Sequence, residues 1–164
     1  DVDLPWKVYV AEDGSECWAV AQPSEVSATR NDEPVSVRRG GLDLPAEPVT
    51  DPCADAEDCL LGLFVFYRPG AGVDGQVTFT GGYPLAGGST TELEVGGTTF
   101  DLLGEGEWAW PATPEEDAEI VAALKTGSEV VLTARSARGT ITRDTFSLLG
   151  FAAAVDEAAN RCGG

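Results

Sequence analysis

Three arginines crowd one short stretch of the chain, Arg135, Arg138 and Arg143, in a protein with only ten basic residues. A guanidinium presents a planar fork of donors that matches the oxygens of a carboxylate or phosphate. This stretch is therefore a candidate anion-binding site; the competing use is internal pairing with Asp144 and neighbouring acids. Tyr83, Trp108 and Trp110 form a candidate platform for a sugar or a protein surface, since each ring joins a large apolar area to a polar edge. Their competing use is as core. The segment DPCADAEDC, from Asp51 to Cys59, sets Asp51, Asp55, Glu57 and Asp58 around two cysteines. Oxygen ligands this dense suit Ca2+. The spacing and glycine of an EF-hand are missing, and a solvated acidic loop is the alternative.

Other chemistry lacks its parts. The chain has no histidine, which removes the commonest general base, the usual zinc ligand and the Ser-His-Asp triad. A serine nucleophile would need lysine as its base, and Lys7 and Lys125 lie in no nucleophile-elbow motif. The glycine pairs Gly81-Gly82, Gly87-Gly88 and Gly96-Gly97 lack the following helix of a phosphate-binding loop and are expected to be turns. With 28 acids in the chain, no carboxylate pair stands out as a glycosidase-like couple. The expectation is a protein that is not an enzyme and carries no cofactor. A small-ligand or Ca2+-binding module, or a carboxylate-based hydrolase, is the alternative.

Four cysteines allow three pairings. Cys53 and Cys59 flank a short polar loop and can close easily, which leaves Cys17 with Cys162, joining the first hairpin to the last helix. Neither pair is a C-x-x-C, so the expected role is stapling rather than redox chemistry. Four cysteines together with the absence of methionine predict a removed signal peptide and an oxidising compartment, periplasmic or extracellular. The net charge of −18 argues against a nucleic-acid binder and against adhesion to anionic lipid. It serves solubility, or offers an acidic face to a basic partner. No apolar run reaches the ~18–20 residues of a membrane helix.

The elements that must position these groups are mostly strands. Pro5 to Val10 alternates, with Trp6, Val8 and Val10 on one face and Lys7 and Tyr9 on the other. Cys17 to Ala21 alternates likewise, and the two are expected to pair as a hairpin. Gln22 to Asn31 is polar and poorly periodic. Val35 to Arg38 is a short strand, and Gly40 to Asp58, with Pro45, Pro48 and Pro52, is a long irregular loop. Leu60 to Tyr67 is apolar throughout, as expected of a central strand covered on both sides. Gln76 to Thr80, Glu92 to Val95, Thr98 to Leu103 and Glu107 to Trp110 follow as strands. Gly96-Gly97 is the two-residue turn between the second and third of them.

Thr113-Pro114-Glu115-Glu116 begins a helix with a cap, a proline at its first position and a capping box. Ala118, Val121, Ala122 and Lys125 are expected to line one side, with Ile120 and Leu124 beside them, and Gly127 to stop it. Val130 to Ala134, the Ala137-Arg138-Gly139 turn and Thr140 to Leu149 form a last hairpin. A closing helix follows, with Phe151, Val155 and Ala158 on one face. A chain of 164 residues with 43% apolar content and many short strands predicts one domain, 1–164. The expected fold is an antiparallel β-sandwich, jelly-roll-like or barrel-like, with two short helices.

Several of these motifs, in order, resemble the invasion-associated locus B family of alphaproteobacterial envelope proteins. They are an early tryptophan with Cys17-Trp18-Ala19, Val37-Arg38-Arg39, Gly82-Tyr83-Pro84-Leu85, and Phe100 to Trp110 ending in Ala109-Trp110. Asp117 to Gly127, Ser136 to Thr140, Asp144 to Phe151 and Cys162 complete the series. The resemblance implies an exported β-sandwich with a signal peptide, associated with host-cell invasion and without a transferable catalytic motif. The Cys53–Cys59 loop departs from the family pattern. The function expected is an exported, non-enzymatic interaction module with a protein partner. It would act either as a surface- or host-interaction factor or as an accessory subunit of a larger envelope complex.

Overall fold

The computed structural model describes residues 5–54, 59 and 61–162. The chain begins with β1 (Trp6–Val10), β2 (Cys17–Ala21), β3 (Glu25–Arg30), β4 (Glu33–Pro34), β5 (Val37–Arg39), β6 (Leu42–Leu44) and β7 (Val49–Thr50). It continues with β8 (Gly62–Arg68), a single 3-10 turn, β9 (Val73–Thr80), β10 (Thr90–Val95), β11 (Thr98–Glu105) and β12 (Trp108–Trp110). Helix α1 (Pro114–Thr126), β13 (Glu129–Arg135), β14 (Ile141–Ser147) and α2 (Phe151–Arg161) complete it.

One antiparallel sheet runs in the order β1-β2-β8-β9-β12-β11-β10-β13-β14-β3-β4, with β7 pairing onto β3, while β5 and β6 form a separate hairpin. This sheet is curled so that its two halves face each other. Phe79 of β9 and Phe146 of β14 lie far apart in strand order, yet their rings meet edge to face at 6.4 Å. At the β1 edge, the Trp6 indole Nε1–H donates to the Ser147 carbonyl at 2.8 Å. The enclosed core runs from Trp6 and Ala19 through Leu63, Val65, Val77 and Phe79 to Leu93, Leu132 and Phe146. The expected mostly β, antiparallel fold with two helices is the one observed.

The helices seal the core. Thr113 caps α1 by accepting from the Glu116 N–H at 3.2 Å, and Pro114 opens the first turn, because the sidechain oxygen satisfies an N–H that has no partner within the helix. The buried face is Asp117, Ile120 and Leu124, so the helix is rotated from the Ala118–Ala122 side expected from sequence. The large branched side chains decide the rotation, since they hide the most area. Gly127 ends the helix in extended conformation, φ −90°, not by a left-handed turn. A Cβ there would sit 2.5 Å from Val95 Cγ2, so close packing is what requires glycine. In α2 the buried residues are Phe151, Ala154, Val155 and Ala158, and Phe151 meets Trp6 edge to face at 4.8 Å. Cys162, just beyond α2, is bonded to Cys17 of β2 across 145 residues.

Two segments differ from the sequence expectation. Residues 25–30, in a stretch that is polar and poorly periodic in sequence, form β3, paired in register with β14 from Glu25↔Thr145 to Thr29↔Ile141. Only Val26 and Ala28 of this strand turn inward, too few for a periodic signal, and the ladder to β14 supplies the order. The stretch 40–58, expected to be a long loop, contains β6 and β7. These cover a small second core of Val26, Leu44, Cys53 and Leu61.

Candidate functional site

The β5–β6 hairpin is tied to the main sheet by one buried ion pair. Arg39 is 1% exposed and Asp144 of β14 is 0% exposed. Arg39 Nη1 and Nη2 donate to Asp144 Oδ1 and Oδ2 at 2.9 and 2.5 Å, and its Nε donates to the Gly81 carbonyl at 2.9 Å. Burial pushes the Asp144 carboxyl up, and the Arg39 charge and hydrogen bonds oppose that rise. The guanidinium also lies over the Tyr83 ring, 5.2 Å from its centroid. Burial pushes the Tyr83 phenol up to about 12, against the Arg39 charge and the Thr142 hydrogen bond. It stays a neutral partner of the Thr142 hydroxyl, 2.5 Å away. Gly82, at φ +78°, lets the backbones close together: the Gly40 N–H donates to the Gly82 carbonyl at 2.9 Å, and a Cβ on Gly82 would lie 2.7 Å from Gly40 N.

Above this pair opens a cleft of about 770 Å³. Its lining includes Arg39, Tyr83, Thr140 and Thr142, all four buried, and the exposed Arg30, Arg38 and Arg138. Arg30 Nη2 donates to Thr140 Oγ1 at 2.7 Å. Arg38 Nη1 pairs with Asp43 Oδ1 at 2.8 Å, both side chains being largely in solvent. Arg138 sits in the turn between β13 and β14. Ser136 Oγ accepts from the backbone N–H groups of Arg138 and Thr140 at 3.2 and 3.1 Å, which fixes that turn. Among the described lining residues Glu107 is the only acid.

The predicted arginine trio is divided. Arg138 lines the cleft, whereas Arg135 and Arg143 are exposed on β13 and β14 and do not. The partner of Asp144 is Arg39, so the expected pairing of Asp144 with the trio is replaced. Inward alternation along β14 runs Thr142, Asp144, Phe146. A carboxylate in a core-facing position needs a pairing or hydrogen-bonding partner; the sequence signals that need at Asp144 and does not identify Arg39.

The aromatic residues build a different surface. Trp108 and Trp110 share one face of β12, with Ala109 buried on the other; Tyr83 is buried beneath Arg39 and is not part of it. Trp108 joins a row of rings across the outside of the sheet. Tyr9 meets Trp18 at 5.9 Å, Trp18 meets Phe66 at 6.3 Å, Phe66 stacks on Phe64 at 5.4 Å, and Phe64 meets Trp108 at 5.7 Å. Tyr9 is 47% exposed and Trp108 41%. β8, expected to be covered on both sides, buries Leu63, Val65 and Tyr67 but leaves Phe64 and Phe66 half-exposed in this row. Between the Phe64 and Trp108 strands, β9 presents Thr78 and Thr80, small enough for the rings on either side to approach. The Arg68 guanidinium caps the row over Phe66 at 5.2 Å and is paired with Glu16.

Both expected disulfides form, Cys17–Cys162 and Cys53–Cys59. Of the candidate calcium ligands, Asp51 is exposed; Asp55, Glu57 and Asp58 lie outside the described residues. No described helix is long and apolar enough to cross a membrane.

Residues 111–159, which span α1, β13, β14 and most of α2, match the family model described as Invasion associated locus B (IalB) protein. This match is a likeness to that family over residues 111–159; the two disulfides agree with an exported protein. No curated protein matches the chain, and no solved structure matches it.

Proposed function

We propose that this chain, whose assignment to the invasion-associated locus B family rests on its C-terminal third, works as a non-enzymatic protein-contact module in the periplasm or at the cell surface. The observation that carries the reading is the outer aromatic row of Tyr9, Trp18, Phe66, Phe64 and Trp108. Partly exposed aromatic side chains that touch one another over several strands are the composition of a contact surface, because Trp and Tyr supply large area at small entropic cost. A contiguous apolar patch on an otherwise charged surface marks an interaction site. The Cys17–Cys162 bond and the curled sheet hold that face rigid, so little order must be gained on binding.

Two roles fit this surface: a surface- or host-directed factor, and an accessory subunit of a resident envelope complex. Crosslinking in the native envelope followed by recovery of this protein separates them. A single partner at fixed stoichiometry, lost when Tyr9 and Trp108 are both replaced by serine, supports the resident subunit. An empty recovery from the envelope, with binding to host surfaces that the same variant loses, supports the directed factor. Recovery unchanged by the double variant would refute the aromatic row as the contact.

A further inference from the structure

The cleft beside the β5–β6 hairpin goes beyond the protein-contact reading and does not depend on it. We propose that it binds a small polyanion, a soluble molecule carrying at least two phosphate or carboxylate groups. The chain has 28 acids against 10 bases, yet the cleft is lined by four arginines and one glutamate. Asp144 and Asp43 each bond one of these arginines, and the charge left over is still positive. Arg39 is neutralised by Asp144 and serves as structure, which leaves Arg30, Arg38 and Arg138 to receive a ligand. Arg138 stands on a turn fixed by Ser136. Arg38 is held only by a solvent-exposed pair with Asp43, a contact that is weak and easily exchanged for a ligand oxygen. The hairpin that carries Arg38 is anchored by the buried bidentate pair and by the Gly40–Gly82 backbone bond, so the cationic wall is preorganised.

Size and charge define the ligand class. A volume of about 770 Å³ lies within the range of small-molecule sites. An acidic protein segment or polysaccharide would run on over a surface of net charge −18 and be repelled outside the cleft. A compact ligand stays within it, and salt screens the remainder of the protein beyond about 10 Å. A lone monovalent anion would gain one fork contact against that field. Two oxyanion groups can engage two guanidinium forks together.

Isothermal titration of the full, disulfide-bonded chain at about 0.1 M salt, where screening reaches about 10 Å, with pyrophosphate and separately with citrate, tests the assignment. Saturable binding of one anion per chain by at least one of the two is expected. It should weaken about tenfold or more in Arg138→Ala and in Arg30→Ala, and vanish in Arg138→Glu. Arg143→Ala and Arg161→Ala, outside the cleft, should bind as the parent does. Melting curves identify any variant that has lost its fold; Arg138, exposed and in a turn, provides the decisive comparison if Arg30→Ala is unstable. No saturable heat with either anion at millimolar concentration would overturn the proposal, as would an equal loss in Arg143→Ala. Capture by vesicles bearing a phosphorylated headgroup, without binding of free pyrophosphate, would overturn its small-ligand form.

Discussion

Arg39 and Asp144 show how one pair of residues can decide where a whole hairpin sits. Both charges are withdrawn from water, and the arrangement is tolerated because each carboxylate oxygen meets a guanidinium N–H and the remaining Nε–H reaches a carbonyl. Removing one partner leaves the other buried and unpaired. Asp144→Ala and Arg39→Ala are each expected to cost about 3–5 kcal/mol, measured by urea denaturation. The double variant should cost clearly less than the sum, because it strands no charge. Asp117 is a second buried acid, accepting from the Val77 N–H at 2.8 Å. Burial pushes its pKa up to about 6, against that hydrogen bond. A folded value above the unfolded one means that the folded state holds the proton more tightly. The resulting stability is full below about pH 4 and is lost as pH rises through about 6. Asp117→Asn keeps an acceptor for Val77 and loses the titration. Its stability relative to the parent should therefore rise between pH 4 and pH 7, read from paired melting curves. Asp144 was recognisable in the sequence as an acid in an inward position. Its partner was not, because Arg39 lies 105 residues away in a segment with little periodicity.

At the level of the element, local signals were legible wherever the chain itself imposes them. The Thr113 cap, the Gly96-Gly97 turn and the buried face of α2 follow from sidechain chemistry and helical spacing, and they are found as expected. β3 was not legible, because a strand with two inward residues derives its order from the neighbour it pairs with. In sequence β8 looks covered on both sides, since Phe64 and Phe66 resemble core; the curl of the sheet places them outside. The disulfide frame was legible from cysteine spacing, and its two bonds differ in weight. In the loop-entropy picture Cys17–Cys162 contributes roughly 5 kcal/mol and Cys53–Cys59 about 2.4 kcal/mol. Cys17→Ser with Cys162→Ser should therefore lower stability about twice as much as Cys53→Ser with Cys59→Ser, measured by chemical denaturation without reductant.

The whole molecule joins two surfaces of opposite character on one rigid, acidic body. One is the aromatic row, assembled from β1, β2, β8 and β12; the other is the arginine cleft, assembled from β3, the β5–β6 hairpin and the turn after β13. Neither was evident from sequence as a surface, since each gathers residues more than 90 positions apart. The expected platform of Tyr83, Trp108 and Trp110 and the expected arginine trio each contributed one or two members to what the fold assembles. The central claim is that the aromatic row is where this protein meets a partner. Photo-crosslinking amino acids placed singly at Tyr9 and Trp108, and for comparison at Leu149, which is exposed outside the row, test it in the native envelope. A common protein adduct from Tyr9 and Trp108, absent from Leu149, is the predicted result. Equal adducts from all three positions, or none from the aromatic pair, would contradict it.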